Sequence, residues 1–265
     1  MVTVHDLGYR YFPRAHPWHQ RLHLDLSTRW NTRAATHLLA DSEATKVDLV
    51  THYGTPEEKI TVAYPGYDKT LTPVRDPALI KAAKARYSIS GDYFLYVGTL
   101  QPRKNLTRLI EAFASSRSDG ILVLAGKRGW LYDDLFTQAR RSGLEGRVHF
   151  PGYLPEEDKA ALMSGAAAFV FPSLYEGFGL PVLEAQACGC PVITSTTSSL
   201  PEVAGDAALL VEPEDTDAIT AAMDRVIENT DLRDLLIERG FANLRRFSWT
   251  SCARSVLGII EGLVV

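Results

Sequence analysis

The sequence has little cysteine and no strong excess of charge of one sign. Only three residues are cysteines, Cys188, Cys190 and Cys252, which is too few for a disulfide framework, and their spacing does not match a zinc site. Cys188 and Cys190 flank a glycine in an apolar stretch, so we expect them to pack in a core rather than to react or bind metal. The formal net charge of −4 provides no general footprint for a nucleic-acid backbone, so we expect no nucleic-acid partner.

Long apolar runs and targeting signals are also missing. No run reaches membrane-spanning length, and residues 1–6 lack the basic and apolar regions of a signal peptide, so we expect a cytoplasmic protein. No Asp-x-Asp metal motif stands directly at the end of a predicted strand, and we therefore expect neither a metal site nor a cofactor. With 46% hydrophobic and 23% charged residues, the chain of 265 residues can bury a core as two lobes or one large domain.

From about Asp92 the chain alternates short apolar runs with amphipathic stretches. This alternation predicts an α/β fold whose parallel sheet is covered on both faces and binds ligands at the carboxyl ends of its strands. The predicted strands are Tyr93 to Val97, Ile121 to Ala125, Val148 to Phe150, Ala168 to Phe171, Pro191 to Thr194 and Ala208 to Val211. The predicted helices are Leu106 to Ser115, Tyr132 to Ser142, Glu156 to Ser164, Pro181 to Cys188, Ser199 to Ala204, Thr216 to Asn229, Leu232 to Arg246 and Thr250 to Gly262.

A Gly-rich turn lies between two glutamates in the segment from Phe169 to Ile193. Gly177 and Gly179 let the backbone approach a ligand, and the proline that follows suits a first helical turn whose free N–H groups attract phosphate. Glu184 lies in that first turn, where a carboxylate accepts hydrogen bonds from ribose hydroxyls or favours the helix dipole. From the local pattern the segment is either an anion- and sugar-binding corner or an ordinary strand, turn and helix with a capping acid.

Several motifs together resemble the family-4 glycosyltransferases, which are retaining enzymes of the GT-B fold. One is Glu176 and Glu184 around Gly177-Phe178-Gly179-Leu180-Pro181. Another is residues 96–106, where Pro-Arg-Lys-Asn occupies the place of the family's basic pair for the donor pyrophosphate. Further matches are Val4-His5-Asp6, similar to the family's histidine segment in the opposite lobe, Leu124-Ala125-Gly126, Phe150-Pro151-Gly152-Tyr153 and Ser199-Leu200-Pro201-Glu202-Val203. The resemblance spans nearly the whole chain.

The resemblance implies catalytic roles for five residues. Arg103 and Lys104 would neutralise charge on the leaving nucleoside diphosphate. Glu176 would hold donor-sugar hydroxyls or stabilise the oxocarbenium-like charge. His5 would reach the donor sugar from the first lobe, and Asp6 would orient that imidazole or the acceptor.

The remaining implied residues bind the donor. Glu184 would bind ribose, backbone near Tyr153 would meet the nucleobase, and Lys127 would lie near the phosphates or the base. Thr99 occupies a position where family members often carry arginine, which places more weight on Arg103 and Lys104 or suggests a slower enzyme. The other donor-binding residues implied are Gly98, Gly126, Gly177, Phe178, Gly179 and Leu180.

The predicted activity is metal-independent, retaining transfer of a hexose from a nucleotide sugar to a hydroxyl of a glycan or lipid-linked acceptor. The motifs resemble mannosyltransferase-like members, so GDP-mannose is the first expected donor and a UDP-hexose the second. Two other functions stay open. One is a non-catalytic nucleotide-sugar-binding protein or subunit, and the other is a GT-B sugar-nucleotide epimerase, whose cleft uses a different set of acids.

The predicted organisation has a shortened first lobe. Residues 1–66 form a partial acceptor-side lobe with a βαβαβ-like pattern, 67–91 a linker, 92–246 the nucleotide-sugar-binding domain and 247–265 a helix that crosses back to the first lobe. Trp249 would anchor that crossing or pack in a core. The predicted strands of the first lobe are Val2 to Val4, Thr36 to Ala40 and Ile60 to Tyr64, and its helices lie near 22–31 and 42–53.

Basic residues are concentrated in this first lobe. They would meet anionic lipid headgroups at a membrane surface, or simply form a solvated face. Because a short sheet leaves strand edges unpaired, we also expect a homodimer or larger assembly through roughly the first 66 residues. The basic residues are Arg10, Arg14, Arg21, Arg29 and Arg33 against Asp25, with His16, His19 and His23 interleaved.

Overall fold

A computed structural model describes residues 1–13, 17–129 and 133–264, in which the strands form two parallel sheets. Arg14, His16 and the predicted helix start at Tyr132 lie outside the described residues. The smaller sheet has the order β1-β2-β3 and the larger β6-β5-β4-β7-β8-β9. The strands are β1 (Val2–Val4), β2 (Leu38–Ala40), β3 (Ile60–Val62), β4 (Tyr93–Val97), β5 (Ile121–Ala125), β6 (Val148–Gly152), β7 (Ala168–Phe171), β8 (Val192–Ser195) and β9 (Ala208–Val211).

Helices connect the strands of both sheets. They are α1 (Gly8–Tyr11), α2 (Trp18–Ala34), α3 (Glu43–Tyr53), α4 (Pro77–Arg86), α5 (Leu106–Ser115), α6 (Asp133–Arg141), α7 (Glu156–Ser164), α8 (Leu180–Ala187), α9 (Leu200–Ala204), α10 (Thr216–Glu228), α11 (Thr230–Asn243) and α12 (Trp249–Val264). Short 3-10 turns at Pro102–Lys104 and Leu244–Arg246 follow β4 and α11. The α/β fold with parallel sheets is therefore confirmed.

The order of strands in the larger sheet reverses between β4 and β7. The chain adds β5 and β6 on one side of β4, then returns to pair β7 with its other side. The loops after β4 and β7 leave the same edge of the sheet and diverge to opposite sides, which opens a crevice between them. The Pro-Arg-Lys-Asn motif follows β4 and the Gly-rich turn follows β7, so the topology brings both motifs to one crevice.

The larger sheet is the centre of the main hydrophobic core. All of β5 and β7 is buried, which requires helices on both faces of the sheet. Cys188 and Cys190 belong to this core, as the sequence predicts, and burial raises the pKa of the Cys188 thiol to about 12. A separate, smaller core lies around β1, β2 and α3.

Helix α4 lies inside the segment that the sequence analysis interprets as a linker. The side chain of Asp76 accepts a hydrogen bond from the N–H of Ala78, and Pro77 occupies the first helical turn. The helix packs against α7. An acidic N-cap followed by proline is a sequence signal for the start of a helix. The prolines of this segment, considered without that N-cap, instead suggest a linker.

The two sheets are joined by polar contacts beside the Gly-rich turn. The carboxylate of Glu202 accepts hydrogen bonds from the backbone N–H groups of Glu43 and Ala44 at the start of α3, each at 3.0 Å. It accepts a third hydrogen bond from the hydroxyl of Tyr64, also at 3.0 Å. Ser42 Oγ donates to the carbonyl of Gly177 at 2.6 Å. We call the contacts of Glu202 with α3 and Tyr64 the Glu202 clasp.

The last helix begins against the first lobe. A Cβ on Gly66 would lie 2.3 Å from the backbone nitrogen of Trp249, so the two backbones are in close contact. The Trp249 residue itself is 56% exposed, which excludes a core position for its ring. The boundaries at 66, 91 and 246 stay predictions.

Candidate active site

Glu176 lies at the centre of the crevice and is only 6% exposed. Its Oε1 is 2.5 Å from Lys104 Nζ, and its Oε2 is 2.8 Å from an Arg103 terminal nitrogen. The same nitrogen of Arg103 donates to the carbonyl of Tyr175 at 2.8 Å. We call Arg103, Lys104 and Glu176 the Glu176 corner.

The local sequence explains why these two cations point toward β7. Pro102–Lys104 forms a tight turn that ends at Asn105, whose φ of 61° is left-handed. The side-chain amide of Asn105 donates to the carbonyls of Pro172 and Pro213, at 3.1 and 2.6 Å, and so ties the turn to the loops after β7 and β9. The turn therefore places Arg103 and Lys104 against Glu176.

Electrostatics keep Glu176 ionised. Burial acts to raise its pKa, but the positive charges of Lys104 and Arg103 outweigh burial and hold the pKa below its ordinary value. Burial lowers the pKa of Lys104, and Glu176 opposes that effect. For Arg103, burial again acts to lower the pKa, and the adjacent carboxylate reverses the shift. Two cations share one carboxylate, so the corner has positive charge available for an anion.

The Gly-rich turn touches the first lobe. A Cβ on Gly177 would lie 2.2 Å from the carbonyl oxygen of His5 and 2.6 Å from Asp6 Cβ, so only glycine fits there. Gly179, with a φ of 114°, precedes α8, in whose first turn Pro181 has no N–H and the N–H of Val182 donates to the carbonyl of Gly179 at 3.0 Å. Leu180 begins that helix. The structure thus brings the predicted His5-Asp6 segment next to the Glu176 corner.

Within that segment the partner of the imidazole is Asp41. His5 Nδ1 is 2.7 Å from Asp41 Oδ2, while the side chain of His5 is 78% exposed. Asp6 Oδ1 instead accepts from the backbone N–H of Gly8 at 2.9 Å. The residue that orients the imidazole is therefore Asp41 and not Asp6, for which this was one of two predicted roles. Asp41 directly follows β2, and the sequence analysis missed it.

The side chain of Phe178 does not face the crevice. It is buried and packs against Tyr64 and Phe247, with ring centroids 6.1 and 5.7 Å away. Only its backbone is available to a ligand.

A cleft of about 360 Å³ opens beside the corner, along the ends of β4, β5 and β6. We call it the Glu184 cleft. The backbones of β4 and β5 approach closely there, since a Cβ on Gly126, whose φ is 144°, would lie 1.8 Å from the carbonyl oxygen of Gly98. Six of the predicted donor-binding residues line it, namely Gly98, Thr99, Gly126, Lys127, Tyr153 and Glu184.

Two residues at the mouth of this cleft form an aromatic and cationic pair. Tyr153 is 61% exposed, and Lys127 Nζ lies 5.8 Å from the centroid of its ring. A mostly exposed ring beside a flexible ammonium can offer both a stacking surface and a positive charge to a ligand.

Glu184 is held by a lysine that the sequence analysis did not single out. Lys159 is 7% exposed, and its Nζ lies 3.2 Å from Glu184 Oε2 and 2.8 Å from Glu156 Oε2. Burial raises the pKa of Glu184, although the positive charge of Lys159 opposes that shift. Burial acts to lower the pKa of Lys159, but Glu156 and Glu184 outweigh burial and raise it. A lysine three residues after a glutamate on a helix is usually solvated, so no pattern marked Lys159 as buried in a cleft.

Across residues 1–13, 17–129 and 133–264, no group of three or more His, Cys, Asp or Glu side chains could hold a metal ion. The same residues contain no helix that is both long and apolar enough to cross a bilayer.

Two family models together match most of the chain. Residues 83–242 match the model of glycosyl transferases group 1. Residues 1–71 match the model of glycosyltransferase family 4. The Glu176 corner and the Glu184 cleft lie within the first match, and the His5-Asp6 segment lies within the second.

Related proteins include two mannosyltransferases. O-antigen chain mannosyltransferase B of Escherichia coli is 34% identical over 262 residues, which cover 97% of this chain and 68% of that protein. The MMP alpha-(1->4)-mannosyltransferase of Mycolicibacterium hassiacum is 30% identical over 237 residues, covering 86% of this chain and 54% of that protein. This chain thus spans about two thirds of the first and about half of the second.

Solved structures show the same fold. Anabaena Alr3699/HepE in complex with UDP and glucose superposes with a TM-score of 0.85 at 23% identity, covering 98% of this chain and 71% of that one. WaaG, a glycosyltransferase involved in lipopolysaccharide biosynthesis, has a TM-score of 0.81 at 21% identity, covering 98% and 75%. From the family models, the relatives and this shared GT-B fold, we conclude that the chain belongs to the family-4, group 1 glycosyltransferases.

Proposed function

We propose that this protein transfers a hexose, with retention, from a nucleoside diphosphate sugar to a hydroxyl of a glycan or lipid-linked acceptor. The bond from the sugar C1 to the diphosphate oxygen breaks, and the acceptor oxygen bonds to C1 on the same face. The acceptor proton passes to the leaving diphosphate. The observation that carries this proposal is the Glu176 corner, where one ionised carboxylate lies between two cations beside the Glu184 cleft.

The corner suits a leaving group that gains negative charge. Arg103 offers a guanidinium fork and Lys104 a buried ammonium, and the start of α8 adds the N–H of Leu180 and the positive end of a helix dipole. In a buried site such groups stabilise developing charge more than they would in water. Because these cations can serve the diphosphate directly, we propose that transfer needs no metal ion or other cofactor.

The other predicted residues take roles around the donor. Glu176 would hold sugar hydroxyls or stabilise positive charge at C1, and Glu184 would accept from the ribose hydroxyls. His5, oriented by Asp41, would reach the sugar from the first lobe. Tyr153 and Lys127 would meet the base or the phosphates.

For the donor, GDP-mannose is our first proposal. The two relatives described above, at 34% and 30% identity, are named mannosyltransferases, which supports a mannosyl donor. A UDP-hexose is the second proposal, since the structurally similar HepE was solved with UDP and glucose.

A donor panel tests the function. We expect GDP-mannose to be turned over in the presence of EDTA, by transfer to a mannoside or lipid-linked glycan or by slow hydrolysis, with the α-anomer retained in the product by NMR. A protein that binds GDP or UDP but turns over no donor would be the non-catalytic binding protein. Interconversion of UDP-sugars without transfer would identify the epimerase. A strict requirement for magnesium or manganese would refute metal independence.

We further propose that residues 1–66 mediate self-association and contact with an anionic membrane surface at the cytoplasmic face. Helix α2 exposes an apolar row at four-residue spacing, Trp18, Leu22, Leu26 and Trp30. Arg10 and Arg29 contact Asp25, so the positive charge for lipid would come from the exposed Arg21 and Arg33. Light scattering tests the assembly, and co-sedimentation with vesicles containing phosphatidylglycerol tests the membrane contact.

A further inference from the structure

Lys159 forms an ion pair with Glu184 in the Glu184 cleft. Lys159 projects from α7 to a carboxylate on α8, and it is 7% exposed although it lines the Glu184 cleft. A buried ammonium loses hydration, which is offset only by close charge partners. The partners here are Glu184 at 3.2 Å and Glu156 at 2.8 Å.

The two carboxylates that share this lysine differ in their surroundings. The side chain of Glu156 is 60% exposed, whereas that of Glu184 is 20% exposed and turned into the cleft. Water solvates Glu156 without help from Lys159. Glu184 depends on Lys159 as its nearest positive charge, because burial, Glu156 and Asp68 all disfavour its ionised form.

We propose that Lys159 is a positioning residue that keeps the Glu184 carboxylate ionised and aimed into the cleft, so that it accepts hydrogen bonds from the ribose diol of the donor. This inference rests on the proposed function and deepens it. Lys159 holds Oε2 of the carboxylate from the α7 side. A protonated or rotated Glu184 would lose acceptor capacity toward the two hydroxyls of a ribose.

Two other roles for Lys159 give different results. A residue that only links α7 to α8 would affect stability and every ligand equally. A residue that touches the diphosphate directly would also affect every nucleoside diphosphate, with or without ribose hydroxyls. Of these three roles, only the one that passes through Glu184 makes the effect of Lys159 depend on the 2′- and 3′-hydroxyls.

The test is calorimetry of wild type, Lys159→Met, Lys159→Arg and Glu184→Gln with two ligands. The ligands are GDP or UDP, whichever the wild type binds, and its 2′,3′-dideoxy analogue. We expect Lys159→Met to weaken ribonucleotide binding about tenfold, as for a charge-assisted hydrogen bond, with dideoxynucleotide binding unchanged. Lys159→Arg should recover part of the affinity, and Glu184→Gln should show the same ligand dependence. Lys81→Met, an exposed charge removal on α4, should match wild type.

Acidity offers a second readout. The titratable or charged groups around Glu184 are Lys159 and Glu156 on α7, Asp68, and Cys188 at the end of α8. Without Lys159, the pKa of Glu184 should rise further, so ribonucleotide affinity of Lys159→Met should fall as pH decreases from 8 to 6. Wild-type affinity should fall less over that interval, and affinity of both proteins for the dideoxy analogue should show no such difference.

The outcomes separate the two hypotheses. If wild type binds no nucleoside diphosphate, the proposed function fails and this assignment fails with it. If wild type binds and Lys159→Met either equals it or loses both ligands equally, the assignment alone is wrong. Thermal denaturation of each variant shows whether a uniform loss comes from unfolding, and a loss confined to the ribonucleotide supports the positioning role.

Discussion

The Glu176 corner and the Glu184 cleft are built around two glutamates at opposite ends of one short segment. Their pKa values are nevertheless shifted in opposite directions. At the corner two cations lie within 2.8 Å of one carboxylate, and the pKa of Glu176 is lowered. In the cleft one lysine is shared by two carboxylates, and the pKa of Glu184 is raised. The number of cations around a carboxylate decides its titration more than burial does, since both groups are mostly buried.

The difference also suggests a division of ligands. A corner with excess positive charge suits a diphosphate, whereas the Glu184 carboxylate, which shares one lysine with Glu156, suits neutral hydroxyl groups that donate hydrogen bonds. Both regions lie on the carboxyl edge of one sheet, so a nucleotide sugar could extend across them. Variants that affect phosphate and ribose separately can therefore test the comparison.

The largest effect is expected from Glu176→Ala. Turnover should fall by a factor of about 10² to 10³, the range for one preorganised group in a buried site. The free energy of unfolding should fall by about 3–5 kcal/mol, because two buried cations lose their carboxylate. Free nucleotide should bind nearly as well as to wild type, which calorimetry measures. Glu58→Ala, at an exposed position, is the control. Unchanged turnover would remove Glu176 from catalysis.

Lys104→Ala should reduce turnover by about a hundredfold through the loss of one charged donor to the leaving group. Glu176 keeps Arg103 as a partner, so stability should decrease less than in Glu176→Ala. Steady-state kinetics with the preferred donor is the measurement, and the Lys81→Met variant controls for simple charge removal. A full turnover rate in Lys104→Ala would mean that Arg103 alone serves the diphosphate.

Glu184→Ala should act mainly on binding. Affinity for nucleoside diphosphate should decrease about tenfold, because the expected partner of Glu184 is ribose rather than the reacting sugar. With saturating donor, turnover should stay within a few-fold of wild type. A variant that binds nucleotide normally but turns over slowly would reverse the roles assigned to the two glutamates.

The Glu202 clasp should influence the corner more than the cleft, since it joins α3 to the lobe that carries the Gly-rich turn. Glu202→Ala leaves two backbone N–H groups without their acceptor and should cost about 1–3 kcal/mol of stability. Turnover should decrease while nucleotide affinity is retained. Denaturant unfolding and calorimetry measure the two quantities, and equal losses of both would show that the clasp supports the whole crevice.

The smallest effect concerns acid. Because the folded pKa of Glu176 is lowered, its contribution to stability is present above its unfolded value of about 4.3 and is lost as pH falls through the folded value. For Glu184 the folded pKa is raised, so its favourable contribution is present at low pH and is lost as pH rises through the folded value. The stability of Glu176→Gln should therefore approach that of wild type in acid. Glu184→Gln should gain on wild type as pH rises, as denaturant titrations between pH 3 and 7 can show.

Much of the fold could be predicted from the order of residues. Strands β4, β5, β7 and β9 agree with their predicted bounds, because short continuous apolar runs between turn residues leave few alternatives to a strand. Helix α2 is longer than expected, Trp18–Ala34, since its exposed apolar row offers no clear boundary. The single helix predicted to run to Arg246 ends instead at Asn243, followed by a 3-10 turn.

Only part of the candidate site could be predicted from sequence patterns. Arg103, Lys104, Glu176 and Glu184 could be identified from local motifs, since glycine, proline and charge occupy fixed positions around a turn. Asp41 and Lys159 could not, because each acts on a residue that is distant in sequence and becomes its neighbour only through the sheet.

By itself, the sequence determined the α/β class, the two motifs at strand ends and the family to which the chain belongs, because apolar periodicity and turn residues act locally. The tertiary structure decided which charges meet. It placed two cations on Glu176 and one shared lysine on Glu184, and it pressed the backbone of His5 against Gly177. Desolvation and charge pairing depend on distances across the fold, and those distances exist only once β4 and β7 lie side by side.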